Sequence, residues 1–493
     1  MTSASRLPRE VEVAIVGAGF GGLGAAIQLQ RAGIHDFVVL ERTGEVGGTW
    51  SANTYPGCQC DVPSNLYSFS FAPKPDWTHS YPEQPQILDY LRDVTQRFGL
   101  APKIALNCEM REAAWSEDEG RWRIDTSAGP LSARFLIGAT GLLSEPVIPA
   151  VPGLDRFEGT QFHSARWNHD HDLTGRRVAV IGTGASAIQI VPRIQPQVGQ
   201  LYVLQRTPPW VLPHSDREIG KRTRRLYKRL PPAQRLARYG VYWLREALGA
   251  GFVSVKPILW LTEAIGRLHI LTKVRGREMR RKVTPGYRVG CKRILLSDNW
   301  YPALQEPNVE LVTDRLEEVR ERSLVFADGS EREVDTIVYG TGFSPLDPPL
   351  AHRLRGRDGR TLSESWGGSM QAYLGTAVAG FPNMFLLWGP NTNLAHSSVV
   401  FMIESQVAYV VQAVKDARAR GAGWLEVRRE AQDRWNAELR EQLRGSVWNT
   451  GGCASWYLDR NGDNPIMWPG QTFSFRRRTR RFEPRDYVLG AAR

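Results

Sequence analysis

The sequence has few cysteines, no long uninterrupted apolar run and no low-complexity tract, and each shortage removes a class of function. Five cysteines, Cys58, Cys60, Cys108, Cys291 and Cys453, are an odd number with no C-x-x-C pair. They do not make a disulfide framework, and a reducing, cytoplasmic compartment fits them. Cys58-Gln59-Cys60 also has the wrong spacing for the redox pair of a disulfide reductase. No His, Cys or acid cluster has ligand spacing, so no metal is expected. Met1 to Arg9 lacks the apolar core of a signal peptide, and export is not expected. The most apolar stretch, Val241 to Ile265, is broken by Arg245, Glu246, Lys256, Pro257 and Glu263. It falls short of the ~20 apolar residues of a membrane span and reads as helices of a soluble domain.

What is present is a chain of 493 residues, 42% hydrophobic and 23% charged, long enough for two or three folded domains. Acids are in deficit, for a formal charge of +12, and Lys221 to Arg229 and Arg476 to Arg481 are the basic runs. They read as solvated helix faces and phosphate-holding groups, with contact to an anionic membrane surface as the alternative. No nucleic-acid partner is expected.

Val11 to Val16 suits a buried parallel strand and enters Gly17-Ala18-Gly19-Phe20-Gly21-Gly22, a G-x-G-x-x-G before a helical stretch. Gly17 permits the tight turn, Gly19 lets the backbone approach a pyrophosphate, and Gly22 lets helix and strand pack closely. A second strand, Phe37 to Leu40, ends in Glu41, at the spacing where an acid accepts from a ribose diol. A carboxylate there repels a 2′-phosphate, so this site is expected to hold FAD or NAD.

Arg177 to Ile181 repeats the arrangement, entering Gly182-Thr183-Gly184-Ala185-Ser186-Ala187. The following strand, Leu201 to Leu204, ends without an acid. At the matching spacing stands Arg206, where a guanidinium clamps a 2′-phosphate and Thr207 adds a hydroxyl, so the second site is expected to take NADPH. A resident nucleotide and a hydride-delivering one imply an internal relay from nicotinamide to flavin.

Two further strands end in Thr-Gly turns, at Thr140-Gly141 and Thr341-Gly342. Such turns are expected where the chain leaves the flavin domain and where it returns. The expected fold is α/β, with two Rossmann-like dinucleotide-binding domains and a helical insertion. Residues 1–150 and 334–493 form the FAD domain, 151–214 and 285–333 the NADP domain, and 215–284 the insertion.

Glu45-Val46-Gly47-Gly48-Thr49-Trp50 resembles the E-x-G-G-x-W element of class B flavoprotein monooxygenases. With both fingerprints and both Thr-Gly turns, the resemblance covers nearly the whole chain. Phe157-x-Gly159-x-x-x-His163-x-x-x-Trp167 matches the family's linker, which in Baeyer-Villiger members continues with Pro or Asp; this sequence has Asn168 there. Tyr55 to Asp61 looks like the segment carrying the family's active-site aspartate, and Cys291-Lys292-Arg293 like the segment carrying its arginine. Trp456 falls where the family has a mobile tryptophan over the nicotinamide.

The resemblance, closest to type I Baeyer-Villiger monooxygenases, implies that Gly48, Thr49 and Trp50 hold FAD. It also implies that Arg293 and Asp61 are catalytic, with Asp61 among the cofactor contacts, that Lys292 meets the NADP phosphate, and that Trp456 covers the cofactor. The implied reaction inserts one atom of O2 beside the carbonyl of a small hydrophobic ketone through a C4a-peroxyflavin, with sulfide oxidation as a companion activity. An N- or S-hydroxylating flavin monooxygenase is the competing enzyme, and a flavin- and NADPH-binding redox sensor the competing class. His163 and His396 read as structural.

Overall fold

Two apolar runs that end in glycine loops become the centres of two sheets in the computed structural model, which describes residues 7–253 and 256–491. Met1 to Arg6, and Ser254 and Val255 within the apolar stretch, lie outside the described residues. β1 (Glu10–Val16) runs parallel to β2 (Phe37–Leu40) on one side and to β6 (Gly129–Gly138) on the other. β3 (Ile104–Ala105) continues the parallel side beyond β2, while β5 (Arg121–Thr126) and β4 (Met110–Ser116) form an antiparallel extension beyond β6. Val13, Ala14 and Ile15 are fully buried, as a parallel strand covered on both faces requires. α1 (Phe20–Arg31) covers one face and packs against α6 (Val399–Ala419).

The second sheet is parallel throughout, in the order β10 (Val309–Val312), β9 (Gln200–Leu204), β8 (Arg177–Ile181), β11 (Thr336–Tyr339), β7 (Thr160–His163). This corrects one expected boundary. The sequence places the return to the flavin domain at residue 334, yet β11 pairs with β8 and β7, so the return comes after Tyr339. The reason is a sheet edge: without β11, whose Ile337 and Val338 are fully buried, β8 would present a row of unpaired backbone groups. The returning chain adds Leu354–Arg355 to β4 and Met384–Leu386 to β6.

The expected insertion contains α3 (Lys221–Arg229), α4 (Pro231–Val253) and α5 (Lys256–Lys273), followed by a short helix at Arg277–Val283. The cysteine reading is also corrected. Cys291 and Cys453, 162 residues apart, are joined by a disulfide with their Cα atoms 6.2 Å apart. Folding brings them together, which spacing along the chain does not reveal. Cys58, Cys60 and Cys108 are buried free thiols, and burial pushes Cys58 up to about 12.

Candidate active site

The first glycine loop is built by close approaches that side chains would block. Gly17 has φ +104°, and a Cβ there would meet the Ala139 carbonyl oxygen at 2.7 Å. A Cβ on Gly22 would lie 1.8 Å from the Gly17 oxygen, so helix and strand touch through backbone alone. Gly19 caps α1 without a side-chain hydrogen bond, which leaves the first-turn N–H groups facing outward for an anion. Over this loop lies the Glu45 to Trp50 segment. The Gly47 N–H donates to the Ala18 oxygen at 3.0 Å, and a Cβ on Gly48 would approach the Gly19 Cα to 3.1 Å. Thr49 then opens a short helix, and the buried Trp50 donates from its indole N–H to the Tyr67 hydroxyl at 3.1 Å.

Glu41 is buried at the end of β2. Its carboxylate accepts from the Ala18 N–H at 2.8 Å and from the Thr43 N–H and hydroxyl at 2.9 Å each. A carboxylate has about four acceptor positions, so one stays open for a ribose hydroxyl. Glycine loop, uncapped helix and acid together fit the diphosphate and ribose of FAD.

The second loop repeats the first. Gly182 has φ +109°, and its Cβ would meet the Gly340 oxygen at 2.5 Å; Gly184 has 3.9 Å to the same oxygen. A Cβ on Gly340 would in turn stand 3.2 Å from the Cβ of the fully buried Ala187. Each dinucleotide loop therefore rests on the turn that ends the neighbouring strand, β6 in one sheet and β11 in the other. α2 (Ala187–Ile194) follows without a side-chain cap. The Thr183 hydroxyl donates to the Thr207 oxygen at 3.3 Å, and Arg206 stands exposed at the end of β9. Lys292 comes to this place from far along the chain. Burial and the charge of Arg206 push its ammonium below the usual lysine range. Two cations near enough to repel each other are the donor set a 2′-phosphate needs.

Asp61 and Arg293 meet where the two domains adjoin. The guanidinium donates from Nε and Nη2 to both carboxylate oxygens, each at 2.7 Å. Asp61 pushes Arg293 above its ordinary range, so the cation is fixed in charge and position. Two residues without a sequence signal, Gln189 and Asp216, brace the segment that carries Asp61. The Gln189 amide on α2 donates to the Gln59 carbonyl at 2.9 Å and accepts from the Tyr55 hydroxyl at 3.1 Å. Asp216 accepts from the Gln59 amide at 2.9 Å. Gly57, at φ +81°, allows the segment to pass within a Cβ's width of Arg193.

Trp456 is 38% exposed and stands edge-on to the fully buried Tyr457, ring centroids 4.4 Å apart. The disulfide ties this segment to the one carrying Lys292 and Arg293. Trp388, also missed in the sequence, is a non-glycine residue at φ +55° with a buried indole N–H that has no partner among the described residues; it lies against Gly141.

His163 is buried, accepts from the Ala165 N–H at 3.1 Å and is kept neutral by burial, beside the second Thr-Gly turn. Asn168 accepts from the Asp170 N–H at 3.1 Å and so closes a local turn. His396 packs beneath α4, against Gly249 and 3.5 Å from Glu246.

Residues 14–225 match the family model described as pyridine nucleotide-disulphide oxidoreductase. A Baeyer-Villiger monooxygenase of Streptomyces coelicolor is 49% identical over 490 residues, covering 99% of this chain and 94% of that protein. One from Pseudomonas aeruginosa is 47% identical, covering 98% and 92%. Among solved structures, cyclohexanone monooxygenase from Rhodococcus sp. Phi1 bound to NADP+ superposes with a TM-score of 0.87 at 28% identity, covering 99% of this chain and all of that one. A steroid monooxygenase bound to NADP gives 0.86 at 31%, covering 98% of this chain and all of that one. With full-length identities of this size, the chain belongs to the Baeyer-Villiger monooxygenases.

Proposed function

We propose that the protein converts a small hydrophobic ketone, NADPH, a proton and O2 into an ester or lactone, NADP+ and water, and that Arg293 held by Asp61 is its catalytic group. The bound FAD supplies the chemistry that passes electrons from nicotinamide to oxygen. The observation that carries the proposal is the bidentate Asp61–Arg293 pair at the junction of the two nucleotide sites. Arg293 offers a permanent positive charge to negative charge developing on the reacting oxygen, and in a partly dry site that is worth more than in water. Asp61 fixes the fork and moderates its net charge. Glu41 selects a ribose diol at the first site. Arg206, Thr207 and Lys292 hold the 2′-phosphate at the second, and Trp456 covers the nicotinamide end. Sulfide oxidation accompanies the ketone reaction.

The test is NADPH oxidation by the FAD-loaded protein in air across linear, cyclic and aromatic ketones, with product analysis. The expected result is one ester or lactone per NADPH for at least one ketone. Hydrogen peroxide as sole product with every ketone would favour the redox-sensor reading, and oxygenation confined to amines or sulfides the hydroxylating one.

A further inference from the structure

The helices of the insertion are amphipathic the wrong way round. On a helix of a water-exposed domain the apolar stripe faces the core. On α4 the inward side chains are mostly polar, with Phe252 near its end a buried apolar exception. The Gln234 amide donates to the Lys74 carbonyl at 2.6 Å, Arg238 to the Asn65 carbonyl at 2.7 Å, and Arg245 to the Tyr81 hydroxyl at 2.9 Å. The buried Glu246 accepts from the N–H and hydroxyl of Thr472 at 2.8 and 2.7 Å. The outward stripe is Leu236, Tyr239, Trp243, Leu244 and Leu248, with Leu236 74% and Trp243 56% exposed. α5 is similar: Gly266, His269 and the apolar Ile270 face inward, while the larger apolar set Trp260, Leu261, Ile265, Leu268 and Leu271 faces out, Leu261 at 65%.

Charge surrounds this face with one sign. α3 carries six Lys and Arg and no acid, and none of its side chains is buried. Residues 221–275 hold thirteen Lys and Arg against two acids; of these, Glu246 is buried and Glu263 pairs with Arg267 at 2.9 Å. On the other side, Trp243 meets the exposed Phe473 of α7 (Thr472–Thr479) at 5.8 Å between centroids, bringing the second basic run to the same rim. No single described helix is long and apolar enough to cross a membrane; α4 and α5 meet that test only as a bent pair, by length and composition, and crossing would strand the inward Arg238, Arg245 and Glu246.

We propose that α4 and α5 lie in the plane of an anionic lipid bilayer, with their leucines and tryptophans in the headgroup and acyl boundary and with α3 on the anionic headgroups. Leucine and tryptophan on one side and lysine and arginine at the edge are the composition of an interfacial helix. A second copy of the chain is the poorer occupant, because a two-fold contact places the same basic rim against itself.

The experiment is flotation of the FAD-loaded protein with vesicles of phosphatidylcholine, alone or mixed with phosphatidylglycerol, at low and high salt. Two variants leave both nucleotide sites intact: Leu261→Glu with Leu268→Glu, and Lys221→Gln with Arg225→Gln and Arg229→Gln. FAD content confirms that each is folded. The parent is expected to float with the phosphatidylglycerol vesicles and to be released by salt. Each neutralised cation should lower partitioning about 5-fold, on the order of 100-fold for three. The double Glu variant should not float. Failure of the parent to bind phosphatidylglycerol vesicles overturns the proposal, as does binding unchanged by either variant. A parent dimer in light scattering, dispersed by the double Glu variant without any vesicle binding, assigns the face to self-association and overturns it too.

Discussion

At the residue scale, the proposed function makes cofactor choice a matter of charge at two strand ends, Glu41 after β2 and Arg206 after β9. The sequence shows both, because the distance from each glycine motif to its ribose-recognising residue is set by one strand-helix-strand unit. Arg206→Ala should weaken NADPH binding about 10-fold and leave NADH nearly unchanged. That is the low end of the 10- to 150-fold range for a charge-assisted hydrogen bond, since Arg206 is exposed and screened. Equal losses for both nucleotides would refute the phosphate clamp. Lys292 adds a pH signature. On the proposed reading its ammonium form binds the phosphate, and its pKa is depressed by burial and by Arg206. The KM for NADPH should therefore be lowest below that depressed pKa and climb through it, starting at lower pH than an ordinary lysine allows. Lys292→Arg should flatten the climb, and NADH should show none. Gln189 and Asp216, which hold Asp61 through Gln59, carry no motif; isolated side-chain amides and acids acquire meaning only when the chain folds.

At the scale of elements, glycines on α1 and its loop trade stability for contact. Gly22→Ala places a methyl group 1.8 Å from the Gly17 oxygen, so α1 must move off β1. A cost of about 1–3 kcal/mol follows from overpacking, read as a lower Tm and lower FAD occupancy; an unchanged occupancy would contradict the close packing. The Cys291–Cys453 bond is tested by thiol titration of the unfolded chain, which should give three free thiols before reduction and five after. β1, β2, β8 and β9 are legible in the sequence because parallel strands buried along most of their length read as mainly β-branched and apolar runs. β11 is legible as a strand and misplaced as to domain, because its Thr-Gly turn is the same signal that ends β6. A turn motif reports a strand end and carries no information on which sheet the strand joins. The helices of the insertion are legible as helices, whereas their outward apolar faces are not, since periodicity gives a stripe without its direction.

For the whole molecule, the proposed chemistry requires two domains to meet so that Asp61, from the flavin-domain segment, locks Arg293, carried in after the insertion. Neither residue has a local signal, and only the resemblance joined them in sequence; in the fold they share two hydrogen bonds. Arg293→Ala is expected to fold and retain FAD, because Arg293 contributes nothing to either glycine loop. Arg293→Lys should recover little, since an ammonium cannot reproduce the planar fork on Asp61. The most direct measurement is a paired one on Arg293→Ala, using a ketone that the parent converts: flavin reduction by NADPH under anaerobic stopped flow, and ester yield per NADPH consumed in air. The expected result is flavin that is still reduced, though more slowly, with no ester formed. An ester yield near that of the parent would contradict it.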